Sequence, residues 1–300
     1  MDISEEDPVW LKAKADDFFR SGDYLSAVNA YSAAIDTDPT MLSSYSNRSA
    51  CYLKLKMYQD CKEDCSFVIE EIRNKDSNPQ ERSSLLIMWL KLLLRRGIAS
   101  CSLGCFDDAL ADYRLIKSRL EGGEQLAGVT VDGVSDDVSK IETLMSADNL
   151  KKQADEKLKQ NFLEDAVALY SQAINILPIH VGCLANRATC YIALGELKSC
   201  IDDASSALNI LHSNEDSSKK QILDDGFSLL ASILPPHGSE KRKAWVVKTL
   251  AKRAAAYAQL GELDNAIADY SQLVALEPKD SSLMSDLTRL KNLRAQSSSQ

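Results

Sequence analysis

Lys12, Asp16 and Asn47 return further along the chain as Lys151, Asp155 and Asn186, each 139 residues on. A pair of cations, Lys91 and Arg95, has its counterpart in Lys248 and Lys252, 157 residues on. The spacing of four within each pair places both side chains on one face of a helix, so the two cations repel each other unless an anion lies between them. Lys12 and Asp16, also four apart, can pair with each other. Cations and amide donors fixed on rigid helices grip carboxylates with charge-assisted hydrogen bonds.

Other chemistry finds little support. His180, His212 and His237 are the three histidines, and none has a cysteine or carboxylate at catalytic or metal spacing. Cys61/Cys65 and Cys101/Cys105 stand one helical turn apart, but neither pair is a CxxC and neither has a histidine nearby. The sequence contains no P-loop, no nucleotide-binding glycine fingerprint, no nucleophile elbow and no HExxH. No enzymatic activity, cofactor or metal is expected.

Composition narrows the classes further. The 300 residues are 45% hydrophobic, enough for a core, and 35 Lys+Arg against 44 Asp+Glu give a net charge of −9. That balance repels a phosphate backbone, so nucleic acid is not an expected partner. The start "MDISEEDPVW" is acidic and lacks the features of a secretion signal. The most apolar run, "LLIMWLKLLL" at 85–94, is about half a membrane span and carries Lys91 in its middle, so it reads as a buried helix. A cytoplasmic, reduced setting is expected, in which the eight cysteines are packing residues.

The elements that must position these polar sets repeat. "YSNRSACYLKLK" at 45–56 returns as "LANRATCYIALG" at 184–195. Ala27, Tyr31, Ala34 and Pro39 share their spacings with Ala166, Tyr170, Ala173 and Pro178, and with Ala266, Tyr270, Leu273 and Pro278. These are helical spacings, and each set follows a turn: "SGDY" at 21–24, "KQNFLED" at 159–165 and "LGEL" at 260–263. The unit is a helical hairpin in which small residues allow close approach and proline ends the second helix.

This pattern resembles the tetratricopeptide repeat, and a 34-residue frame gives six units near 7–40, 42–75, 90–123, 147–180, 181–214 and 247–280. The expected fold is all-α, with two three-repeat modules. The first spans 1–123 with an insertion at 76–89, and the second spans 147–300 with an insertion at 215–246. Between them lies a linker at 124–146, flexible in its first half and helical in its second. The insertion containing "ILPPHGSEK" should include a loop that interrupts helix, and "SSLMSDLTRLKNLRAQ" should form a capping helix.

In modules of this kind the first helix of each hairpin lines the inner surface. There the inward positions are Lys12, Asp16, Asn47, Lys91 and Arg95, and in the second module Lys151, Asp155, Asn186, Lys248 and Lys252. The arrangement resembles the two-carboxylate clamp with which tetratricopeptide co-chaperones hold the C-terminal Glu-Glu-Val-Asp of Hsp70 and Hsp90. "LKAKAD" at 11–16 stands where clamp proteins carry Leu-Lys-x-Lys-Gly-Asn, so Asp16, like Asp155, replaces an asparagine. An ionised aspartate only accepts hydrogen bonds and pushes a carboxylate away.

Over residues 9–120 the sequence is similar to the C-terminal repeat region of the dynein axonemal assembly factor family, whose usual N-terminal p23-like domain does not occur in these residues. The chain is therefore expected to be either a fragment or a shorter relative. The resemblance implies a cytoplasmic co-chaperone, associated with cilia or flagella, that takes the tails of Hsp70 and Hsp90. Dynein chains or other assembly factors would be its clients. The alternative is a scaffold that holds clients by apolar contacts without recognising chaperone tails.

Overall fold

A computed structural model describes residues 7–74, 79–213, 234–235 and 238–297. Two compact units divide it, Met1–Glu142 and Thr143–Gln300. Among the described residues the regular structure is helical, with one isolated bridge between Leu126 and Val129. The all-α expectation holds.

The first unit pairs α1 (Pro8–Ser21) with α2 (Tyr24–Thr37), α3 (Leu42–Lys54) with α4 (Tyr58–Asn74), and α5 (Pro79–Ser102) with α6 (Phe106–Glu121). Local chemistry sets the first hairpin. Asp7 caps α1 by accepting from the Val9 N–H at 3.0 Å, and Pro8 occupies the first turn, where no N–H is needed. Gly22 then turns the chain in the left-handed region at φ 83°, and Asp23 caps α2 by accepting from Ser26 at 3.1 Å. Ala15, Ala27, Tyr31 and Cys51 bury completely or nearly so between the helices.

A long helix, α7 (Val131–Lys159), contains the division between the units. Its early residues belong to the first unit, where Glu142 pairs with Arg114 of α6 at 2.8 Å. Its later residues pair with α8 (Leu163–Ile176), where Ala154 packs against Ala166, Tyr170 and Ala173. The second unit continues with α9 (Val181–Leu194), α10 (Leu197–His212), α11 (Glu240–Leu260), α12 (Leu263–Leu276) and α13 (Ser281–Ser297). Leu287 and Leu290 bury one side of α13, which is the expected terminal helix. Pro39, Pro178 and Pro278 each follow the end of a second hairpin helix by two residues.

Three boundaries differ from the sequence reading. Residues 79–89, assigned to an insertion, form the first turns of α5, which runs for 24 residues. Residues 240–246, also assigned to an insertion, open α11; Ser239 caps it by accepting from Arg242 at 3.2 Å. Of the remaining insertion, 214–233 and 236–237 lie outside the described residues, including most of the expected break near "ILPPHGSEK"; Leu234, Pro235, Gly238 and Ser239 are not helical. Val131, Asp132 and Gly133, expected to be flexible, are helical, because Thr130 accepts from the Gly133 N–H at 3.1 Å and starts α7.

One device recurs between paired helices. Arg48 donates two hydrogen bonds to Asp64, both 2.8 Å; Arg96 does so to Asp112, Arg187 to Asp203 and Arg253 to Asp269, all between 2.7 and 2.9 Å. Each pair is sixteen residues apart, and the aspartates are nearly buried. The third guanidinium nitrogen reaches a serine on an earlier helix, as Arg48 reaches Ser32 and Arg187 reaches Ser171. A forked cation bound at both oxygens fixes the helix spacing and the rotation of one hairpin on the next. The recurrent Asn-Arg dipeptide therefore combines an arginine that bonds to its own hairpin partner with an asparagine that donates to an aspartate of the preceding hairpin.

Candidate functional site

The sequence-derived residues of the first unit meet on the face formed by α1, α3 and α5. Asp16 is their centre. Its Oδ2 accepts from Lys12 at 2.7 Å, and its Oδ1 accepts from the Tyr31 hydroxyl and from Asn47 Nδ2 at 3.0 Å. Burial alone would raise the pKa of Asp16. The hydrogen bonds of Lys12, Tyr31 and Asn47, with the charge of Lys12, outweigh it and hold the carboxyl below its ordinary 3.8. Burial and the adjacent carboxylate push the Tyr31 phenol up, so it remains a donor.

The second unit reproduces this geometry on α7, α9 and α11. Asp155 Oδ2 accepts from Lys151 at 2.6 Å, while Oδ1 accepts from Tyr170 at 2.5 Å and Asn186 at 2.9 Å. Its carboxyl is likewise held below the ordinary value by Lys151, Tyr170 and Asn186 against the effect of burial. Aspartate in place of asparagine is thus satisfied by its own neighbours. Tyr31 and Tyr170 were missed in the sequence as partners, although each stands fifteen residues after its aspartate.

The two cations of each pair do not act alike. Arg95 turns toward α3 and donates Nη1 to the Ser46 carbonyl at 2.6 Å, with longer contacts of 3.4 Å to the Ser46 and Ser49 hydroxyls. Lys252 sits equivalently and donates to the Ala185 carbonyl at 2.8 Å. Burial lowers the pKa of both, and for Lys252 the charge of Lys248 adds to the effect. Lys91 and Lys248 stay exposed and, among the described residues, make no hydrogen bond or ion pair. The expected repulsion within each pair is thus reduced by turning one cation inward.

Each face therefore carries an Asp–Lys pair of zero net charge, an amide, one cation docked on a carbonyl and one free ammonium. The excess is positive on a chain of net charge −9. The second face has Lys252 for Arg95 and Ala185 for Ser46, and it packs closely around Lys151. Gly182 leaves room for the Lys151 stem, since a Cβ there would lie 3.2 Å from Lys151 Cε and 3.3 Å from the His180 ring. The eight cysteines form no disulfide, and seven are buried; burial pushes the Cys51 thiol up to about 11 and the Cys200 thiol up to about 11. No helix among the described residues is long and apolar enough to cross a membrane.

These antiparallel hairpins, built on small residues at fixed places, make an all-α fold of the tetratricopeptide-repeat type, and the tetratricopeptide repeat family model matches residues 247–280. The chain is similar to dynein axonemal assembly factor 4 of Pongo pygmaeus, 37% identical over 115 residues that cover 37% of this chain and 26% of that protein. It is similar to sperm-associated antigen 1 of Homo sapiens, 24% identical over 346 aligned positions that cover 96% of this chain and 32% of that protein. Hsp70-Hsp90 organizing protein 3 of Arabidopsis thaliana is 26% identical over 200 residues, covering 64% of this chain and 34% of that protein. The chain spans about a quarter to a third of the length of these curated relatives.

Proposed function

We propose that this protein is a co-chaperone adaptor whose two cationic faces take the acidic C-terminal tails of Hsp70 and Hsp90, in the cytoplasmic preassembly of axonemal dynein arms. The observation that carries the reading is the duplicated constellation. Lys12, Asp16, Asn47, Lys91 and Arg95 recur as Lys151, Asp155, Asn186, Lys248 and Lys252; the lysine and asparagine bonds to the aspartate are the same in both copies, and the last cation of each docks on a backbone carbonyl at the equivalent position. Packing does not require the exposed ammonium of Lys91 or Lys248. An acidic tail supplies the anion that the surplus charge calls for.

The similarity to an Hsp70-Hsp90 organizing protein and to dynein axonemal assembly factor 4 supports the choice of partners. Capture of a short peptide by a few charges corresponds to micromolar affinity, about −8 kcal/mol, and weakens with salt. The test is titration of a labelled Met-Glu-Glu-Val-Asp peptide into the intact chain, Lys91→Ala and Lys248→Ala. These two lysines are exposed, so their loss should leave the fold unchanged. Binding that weakens in one or both variants supports the proposal and locates the face. Equal binding by all three proteins, or none, points to a scaffold that holds clients by other contacts.

A further inference from the structure

We infer that each face reads an acidic segment through its side-chain carboxylates and does not require a free chain end. The inference rests on the reading above that the ligand is an acidic peptide, and it changes which part of that peptide is recognised. At the α1–α3 end of the first face a carboxylate is already present. Asp16 takes the Lys12 ammonium, the Tyr31 hydroxyl and the Asn47 amide. A terminal carboxylate arriving there would meet a like charge, and the nearest cation is already neutralised. Asp155 does the same with Lys151, Tyr170 and Asn186.

The attraction left over lies at the α5 end. Lys91 is exposed without a partner among the described residues, and Arg95, four residues on and docked on the Ser46 carbonyl, adds a second charge. In the second unit the corresponding residues are Lys248 and Lys252. Acidic side chains of a ligand can dock at that end while its backbone continues past the aspartate. The surroundings have diverged, with Ala185 for Ser46 and Lys252 for Arg95, yet the internal carboxylate and its three donors are the same in both units. The filled end is thus a property of both faces.

The test uses three labelled peptides: Met-Glu-Glu-Val-Asp as the free acid, the same peptide amidated, and the same peptide extended beyond its Asp by Gly-Ser-Gly. Each is titrated by fluorescence anisotropy into the intact chain and into the Asp16→Asn, Asp155→Asn double variant. On the intact chain the three should bind within about twofold of one another. In the double variant, which removes the internal charge, the free acid should gain about tenfold over the amide. A loss of about tenfold or more on amidation or extension with the intact chain overturns the inference and leaves the acidic-tail reading standing. Absence of binding by all three peptides removes both. Should the double variant fail to fold, the comparison on the intact chain still decides.

Discussion

Asp16 accepts the amide of Asn47 at 3.0 Å across thirty-one residues of sequence, and Asp155 accepts that of Asn186 at 2.9 Å across the same interval. The bond joins the first helices of neighbouring hairpins, so a residue placed to face a ligand also sets hairpin register. Because the Asp16 carboxyl titrates below its ordinary 3.8, its stabilisation is complete above that value and disappears as pH falls through the lower folded value. Asp16→Asn should therefore cost about 1–2 kcal/mol near pH 7 and much less near pH 2. Urea unfolding of both proteins across that range checks it; a cost independent of pH would mean that the charge of Asp16 contributes nothing.

A second prediction concerns the forked arginines. Arg187 and Asp203 are largely buried, with side chains 17% and 9% exposed, and they share two bonds of 2.7 Å. Removing one partner leaves a buried charge unpaired, so Arg187→Ala or Asp203→Ala should each destabilise by about 3 kcal/mol or more. Replacing both with Met and Leu should cost much less, since desolvation of two charges offsets most of their attraction. Denaturant midpoints of the three variants measure this. A double variant as unstable as either single one would show that the ion pair contributes net stability.

The sequence disclosed the hairpins because their marks are local: small residues at helical spacing, a glycine or asparagine in most turns and a proline after three of the second helices. It pointed to the ten polar positions because they recur, with Lys252 for Arg95 the one change of residue type. It showed helix over 85–94 but not the start of α5, since residues 79–84 carry none of the repeat's marks, although they continue its helix. Nor did it show that Asp16 would be saturated from three sides, which depends on the rotation of α2 bringing Tyr31 under α1. The sixteen-residue interval from arginine to aspartate was visible at four places, but it gains meaning only once two antiparallel helices set the pair face to face.

His180 supplies a third test. It caps α9, with Nδ1 accepting the Cys183 N–H at 3.3 Å. Burial, followed by the charge of Lys151, lowers its pKa from the ordinary 6.5, while Asp148 and Asp155 oppose the shift. Protonation removes the acceptor and puts a cation beside Lys151. The sign follows: stability is full above pH 6.5 and declines as pH falls through the interval between 6.5 and the lower folded value. His180→Asn keeps a capping side chain without the titration, so its unfolding free energy should vary less between about pH 7.5 and 5. Histidine proton resonances followed over the same range report the folded value directly; one at or above 6.5 would contradict the shift.

The last prediction returns to the hairpin that carries Lys91 and Arg95. Gly97, two residues after Arg95 in α5, lies against the ring of Tyr113 in α6, and a Cβ there would stand 2.7 Å from Cε2 and 2.9 Å from Cδ2. Tyr113 is fully buried, so its ring has nowhere to retreat without moving α6. Alanine favours helix over glycine by about 1 kcal/mol, but overpacking a rigid core costs about 1–3 kcal/mol. Gly97→Ala should therefore destabilise the first unit despite its better helix propensity. Tyr113→Leu removes the clashing atoms, so in the double variant the alanine should become neutral or stabilising. A double-mutant cycle reads the coupling, expected at about 1 kcal/mol or more. Additive effects would mean that the ring yields and that Gly97 is not required for close approach of α5 and α6.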